Sequence, residues 1–431
     1  MRYVHGLAAA ILAAGIFCAS SVAHAATLST IYAFCSQRNC ADGIAPIGPL
    51  VRDEAGNAYG VTFEGGNTSG PLCQTISCGT IFEIPASAPK KHGAIKVLYR
   101  FCVDTDCSDG ARPGAGLIID VSGNLYGTTE AGGANIGGDV FMLSPDGRLH
   151  VLYSFCRKSK CKDGGSSFAS AAALTYAGAA AGAPYDGVSP LYGPTEGGKN
   201  NCGAIFKLVP HAKKSVESLV HSFCSEPDGA DGDGPEGVVA DPAGDLYGTT
   251  DRGGANGQDS GVAFKIHGTS LTVLYSFCTL AGCADGQTPS GALALDAQGN
   301  LYGVTTKGGV NGGGVLYKLS LDGTYTKLYD FCGQTNCSDG MTPYTAPYVD
   351  SGGNLIGLTG KGGSTGHGTV YKMSGGTYQV LYNFCSRASC ADGDNPDATL
   401  LPDGAGGFLG MTSQGGAGKF GQSGTVFEFT P

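Results

Sequence analysis

Three sets of residues in this chain have the types and spacing to do chemistry, and each set recurs. The first precedes a series of Gly-Gly pairs: Glu64, Ala131, Glu196, Arg252, Lys307, Lys361 and Gln414. These residues change from unit to unit while their surroundings repeat, as expected where a rigid scaffold presents an asymmetric recognition surface on its loops. Glu64, Glu196, Arg252, Lys307, Lys361 and Gln414 are therefore the candidate binding residues. The arc Arg252–Lys307–Lys361 would attract an anionic group such as a uronate or a phosphate. The second set is an Asp-Gly that follows every Phe-Cys at one fixed distance: Asp42, Asp109, Asp163, Asp231, Asp285, Asp339 and Asp392. Such a ring offers carboxylates to a cation, calcium above all. The competing reading is an Asp that bonds the backbone of a turn completed by Gly, and identity in every unit favours it. No other cofactor is expected.

The third set is the cysteines, 17 in all. Six Phe-Cys sites continue as Cys-x4-Cys: Cys35/Cys40, Cys102/Cys107, Cys156/Cys161, Cys278/Cys283, Cys332/Cys337 and Cys385/Cys390. Cys73/Cys78 repeat the spacing inside an insertion. No histidine recurs beside them, so they read as local disulfides of an exported chain rather than as zinc ligands. At the fourth site Gly229 stands where the second cysteine would be, leaving Cys224 and, upstream, Cys202. Antiparallel pairing puts the start of one strand beside the end of the next, which predicts Cys202–Cys224.

Catalytic constellations are scarce. His92, His150, His211, His221, His267 and His367 are scattered, and no nucleophile elbow, zinc helix motif or phosphate loop stands out. Glu64 and Glu196 would support glycosidic or lyase chemistry only if the fold set them a few ångströms apart. The recurrent Tyr59, Tyr126, Tyr192, Tyr247 and Tyr302 read as packing residues rather than sugar-stacking platforms.

What must position these residues is a repeat of about 54 residues. Each unit reads as four short strands joined by turns; in the second they are 115–120, 124–129, 138–143 and 149–155. With almost no helical periodicity, the chain is all-β. The segment 28–34 reads as a fourth strand with no first three, and 424–429 as a third with no fourth. The two ends would therefore share a sheet and seal a seven-bladed β-propeller with four-stranded blades. Residues 1–25 read as a signal peptide cleaved after Ala25, and 26–431 as one propeller domain, secreted to the periplasm or beyond and acting as a monomer. No later apolar run is long enough to span a membrane. The formal net charge of −10 argues against nucleic acid as a partner.

The phrases Val273-Leu-Tyr-Ser-Phe-Cys278, Asp285-Gly-Gln-Thr-Pro289, Gly299-Asn-Leu-Tyr-Gly303, Gly308-Gly309 and Gly314-Val-Leu-Tyr-Lys-Leu319 resemble the GloVer (Gloeo/Verruco) tandem repeat, over nearly the whole chain beyond residue 25. The resemblance implies an exported bacterial repeat protein of the choice-of-anchor kind and no established activity. The expectation is a binding module for an extracellular or envelope polysaccharide or a protein partner. The alternative is a polysaccharide lyase or glycoside hydrolase with its site over the central opening.

Overall fold

The computed structural model describes residues 26–66, 73, 78–86, 95–104, 106–165, 173–211, 214–257 and 260–431. The signal-peptide reading, His92 and much of the two insertions in the first unit lie outside the described residues. Seven antiparallel sheets follow one another along the chain and form a seven-bladed β-propeller. Blade 4 shows the plan: Asp233–Ala240, Leu246–Arg252, Val262–His267 and Ser270–Ser276 pair in chain order. The first strand of each blade is innermost. In the last blade Thr27–Ala33 pairs with Thr425–Thr430, from Thr27↔Thr430 to Ala33↔Thr425, and closes the ring.

Blade 3 departs from the plan. Its described sheet has three strands, Leu191–Thr195, Ala204–Val209 and Val216–Ser222, and among the described residues the inner position shows only a bridge between Thr175 and Tyr192. An inserted segment packs against blade 2: Tyr185 bridges to Asp120 and is wholly buried against Tyr126, ring centroids 5.2 Å apart.

The seams explain the motifs. Each Phe of a Phe-Cys lies edge-on to the central aromatic of the next blade's third strand. Phe101 meets Phe141 at 5.2 Å, Phe277 meets Tyr317 at 5.0 Å and Phe331 meets Tyr371 at 5.4 Å. At the closure Phe34 meets Phe82 at 5.1 Å, so the N-terminal strand is keyed to blade 1 like any other seam. Such pairs add about 0.5–1.5 kcal/mol each beyond their burial. The Gly of Leu-Tyr-Gly is required by the same aromatic: a Cβ at Gly127 would stand 2.7 Å from the Phe141 ring, and one at Gly410 2.3 Å from Phe427. Proline supplies a second key. Pro113 packs on Gly79, Pro289 on Gly261 and Pro46 on Gly424, each across a seam.

The residue before that proline is left-handed in every blade where it is described: Ala45, Arg112, Gly234, Thr288, Thr342 and Asn395, φ 51–69°. This is costly for a side chain with a Cβ. The gain is a hydrogen bond across the seam, as from Arg112 N to Cys78 O (2.8 Å) and from Thr342 N to Gly313 O (2.9 Å).

Candidate functional site

Hairpin links occupy one face of the ring. The other face carries the cysteine loops, which lead into the first strands, and the Gly-Gly loops, which follow the second. Backbone bonds tie these two loop sets together. Gly66 N donates to Cys40 O (3.0 Å), Gly133 N to Cys107 O (2.9 Å) and Gly416 N to Cys390 O (2.8 Å), and blade 4 uses Gly254 N to Gly229 O (2.9 Å). The cysteines Cys35–Cys40, Cys73–Cys78, Cys102–Cys107, Cys156–Cys161, Cys278–Cys283, Cys332–Cys337 and Cys385–Cys390 are joined locally, and Cys202 is joined to Cys224 across 22 residues. So many disulfides suit an oxidising compartment.

The Asp-Gly aspartates sit inside the cysteine loops as turn caps. Asp42 Oδ2 accepts from Tyr32 Oη and Ser36 N (both 2.8 Å), and Asp42 Oδ1 from Gln37 N (3.0 Å). Asp285 repeats this with Tyr275 (2.8 Å), Thr279 N (2.9 Å) and Leu280 N (3.0 Å). Asp163, Asp339 and Asp392 follow the same pattern, and at Asp231 the tyrosine is replaced by His221. Burial works to raise the Asp163 and Asp392 carboxyls, but the donated hydrogen bonds outweigh it and hold both below the usual range. Burial and the neighbouring carboxylate push the Tyr275 and Tyr382 phenols up to about 12. Asp109 differs: its Oδ2 accepts from Tyr99 Oη (2.8 Å) and Val103 N (3.0 Å), while its Oδ1 has no hydrogen-bond partner.

The mouth of the channel is built one step inward, from residues that the repeats vary. After the seam proline the inner strands carry Ile47, Gly114, Glu236, Ser290, Tyr344 and Asp397; just before the ring of binding candidates, the second strands carry Phe63, Glu130, Asp251, Thr306, Gly360 and Ser413. These side chains meet across the seams. Arg112 of blade 2 stacks over Phe63 of blade 1 at 5.7 Å. Glu236 of blade 4 lies near Ser290 and the Gly291 N–H of blade 5, which favour its ionised form. The Tyr344 ring of blade 6 covers Gly360, where a Cβ would meet it at 2.2 Å and Asn395 Oδ1 of blade 7 at 3.0 Å. Asn395 in turn donates to Ser413 Oγ (2.8 Å).

This ring of side chains is rich in carboxylates held partly protonated. Burial pushes Glu130 up to about 7; the charge of Glu196 adds to the rise and Arg112 opposes it. Burial, then the charge of Asp251, pushes Glu236 to about 7 against Arg252 and the donors from blade 5. Burial pushes Asp397 to about 7, with the Ser413 hydroxyl opposing. Neutral acids beside ionised ones can donate and accept hydrogen bonds at the same pH, as polyol recognition and general acid–base chemistry both require. A cavity of about 500 Å³ opens at the seam of blades 3 and 4, lined among others by Glu196, Asp233, Glu236, Asp251 and Arg252.

Of the binding residues singled out in the sequence, Glu196 and Arg252 line this cavity, and Glu64, Lys307, Lys361 and Gln414 do not. Glu64 and Glu196 are not a pair: each is raised by burial and lowered by an arginine of the next blade, Arg112 for Glu64 and Arg252 for Glu196. The basic arc is broken at its first member, because Arg252 faces Asp233 and Asp251, both at 3.4 Å. Lys307, Lys361 and Gln414 are exposed at their strand ends. His367 pairs with Asp394 at 3.0 Å. The recurrent tyrosines pack at the seams, and Tyr59, Tyr126, Tyr247 and Tyr302 also donate to the aspartate of their own hairpin turn, as from Tyr126 Oη to Asp120 Oδ2 (2.9 Å). Sequence reasoning missed Glu130, Glu236, Asp251, Tyr344 and Asp397. Their signal was the variation just after the repeated proline and just before the Gly-Gly loop.

Fold and site together define a disulfide-tied β-propeller with an acidic mouth. The chain belongs to the Gloeobacter/Verrucomicrobia repeat family, which it matches over residues 15–189, 176–345 and 258–431. No curated protein matches it. Solved structures similar to it include a protein of unknown function from Dyadobacter fermentans (9% identity, 94% of this chain and 97% of that one, TM-score 0.45). Others are an α-L-arabinanase from Penicillium chrysogenum complexed with arabinobiose (14%, 81% and 98%, TM-score 0.43) and the Aleuria aurantia lectin with α-methyl-L-fucoside (12%, 78% and 93%, TM-score 0.39). Among the described residues no helix is long and apolar enough to cross a membrane.

Proposed function

We propose that the protein is an exported, monomeric binding module that takes a saccharide chain at the channel mouth. One observation carries this reading: on a largely repeated frame, the mouth differs from blade to blade, and it sets carboxyls of mixed protonation beside the Tyr344 ring. Carboxylates accept from sugar hydroxyls, a protonated acid donates, and a tyrosine face covers the apolar side of a pyranose. The acidic lining favours a neutral or amino-bearing glycan over a uronate-rich one. Binding to a panel of neutral, cationic and uronate polysaccharides tests this. The expected result is retention of a neutral or cationic glycan, weakened at least tenfold in a Glu236→Gln, Tyr344→Ala double variant. Unchanged affinity in that variant, or preference for polyuronates, would overturn the reading.

A second reading has its own support in the raised carboxyls of Glu130 and Glu236, each beside a second acid. In a glycoside hydrolase the protonated member would serve as general acid and the ionised one as base or nucleophile. New reducing ends released from a bound glycan, and lost in both Glu130→Gln and Glu236→Gln, would replace the first reading with this one.

A further inference from the structure

We propose that blade 2 holds one divalent cation, calcium by the all-oxygen character of its ligands, between Asp139 and Asp109 beneath the Cys102–Cys107 loop. Asp139 opens the third strand of blade 2. The corresponding residues of the other blades are Thr80, Ala204, Val262, Val315, Thr369 and Thr425, none of which is charged. Its side chain is completely buried, and neither carboxylate oxygen has a hydrogen-bond partner; the Ser154 hydroxyl favours its ionised form without reaching hydrogen-bond geometry. No ion pair within 4.0 Å involves it among the described residues. A lone buried carboxylate is costly and calls for a proton or a cation.

What lies above it points to the cation. Asp139 fits between the Asp-Gly turn and the Gly-Gly loop: a Cβ would stand 3.2 Å from its Oδ2 at Gly110 and 2.2 Å from its Oδ1 at Gly133. Gly110 directly follows Asp109, whose Oδ1 is the third orphaned oxygen here. In the other six blades that Oδ1 is capped by a loop N–H, from Gln37, Lys158, Glu226, Leu280, Gln334 or Arg387, and the loop winds into a 3-10 turn. In blade 2 that cap is missing, although the loop keeps the same backbone bond, Cys107 N donating to Asp104 O (2.9 Å) as Cys40 N does to Gln37 O. Its loop instead carries Asp104 and Asp106, exposed and joined through Ser108. Three buried carboxylate oxygens with no donor form a hard-oxygen set, and calcium accepts carboxylates, backbone carbonyls and water in irregular geometry.

The test is thermal unfolding of the EDTA-treated protein with calcium chloride, and with magnesium or sodium chloride at matched ionic strength. Calcium at about a hundredfold excess over its Kd should raise Tm on the order of 4 °C, with one site by calorimetry. Asp139→Thr, which installs the residue that blades 1, 6 and 7 use, should fold and lose the calcium response. No calcium response in the wild type would overturn the proposal, as would an equal response in Asp139→Thr. A calcium-insensitive protein in which Asp139→Thr removes a proton titration would show that a proton fills the role, and would equally overturn it.

Discussion

At the seams Phe34 meets Phe82 and Phe331 meets Tyr371 in nearly the same way, and Gly127 and Gly410 are forced by the same ring contact. At the mouth, a few residues away, Ile47, Glu236, Tyr344 and Asp397 share one position and almost no chemistry. The difference reflects what each region must satisfy. A seam residue touches two blades at once, so a change of shape on one side leaves a void or a clash on the other. A mouth residue has a neighbour on one side and the channel on the other, so the frame tolerates its replacement.

Three experiments would break or sharpen this contrast. The largest effect is expected at the closing seam: Phe34→Ala removes a fully buried ring and should cost about 3–5 kcal/mol in urea unfolding. A loss below about 1 kcal/mol would mean that the ends contribute little to the ring. Next come the disulfides. Losing Cys202–Cys224, which closes 22 residues, should cost about 3 kcal/mol, and losing Cys278–Cys283 about 2 kcal/mol. The reverse order would show that loop closure does not govern them.

The smallest effect is expected at the mouth and depends on pH. The Glu130 carboxyl is raised in the folded state to about 7 from an ordinary value near 4.5. Between those values the unfolded chain has already lost the proton that the folded one keeps. Stability therefore falls as pH rises from about 4.5 to 7 and levels off above that. Glu130→Gln should flatten this fall, by on the order of 1–2 kcal/mol, while leaving stability at pH 4 nearly unchanged. An unaltered pH profile would remove Glu130 from the set of perturbed acids.

Much of the frame was legible because it repeats. Phe-Cys, Asp-Gly, the glycine of the second strand and Gly-Gly mark turns and contacts that recur in every blade, and the segment 28–34 reads as the missing partner of 424–429 because each is one strand of a four-strand set. The site was less legible. Emphasis on the residue beside Gly-Gly picked out Lys307, Lys361 and Gln414, which end in solvent, and passed over Glu130 and Asp251, one position earlier. Alternation along a strand turns neighbouring residues to opposite faces, so an error of one position moves a residue out of the channel.

The sequence by itself determined the blade count, the closing strand and the strand order, because these follow from local periodicity and from which strand types are left unpartnered. Tertiary structure alone decided which carboxylates crowd together. Glu130 feels the charge of Glu196, and Glu236 lies near the donors of blade 5, only because the ring brings neighbouring blades together, and burial there, rather than residue type, raises their pKa.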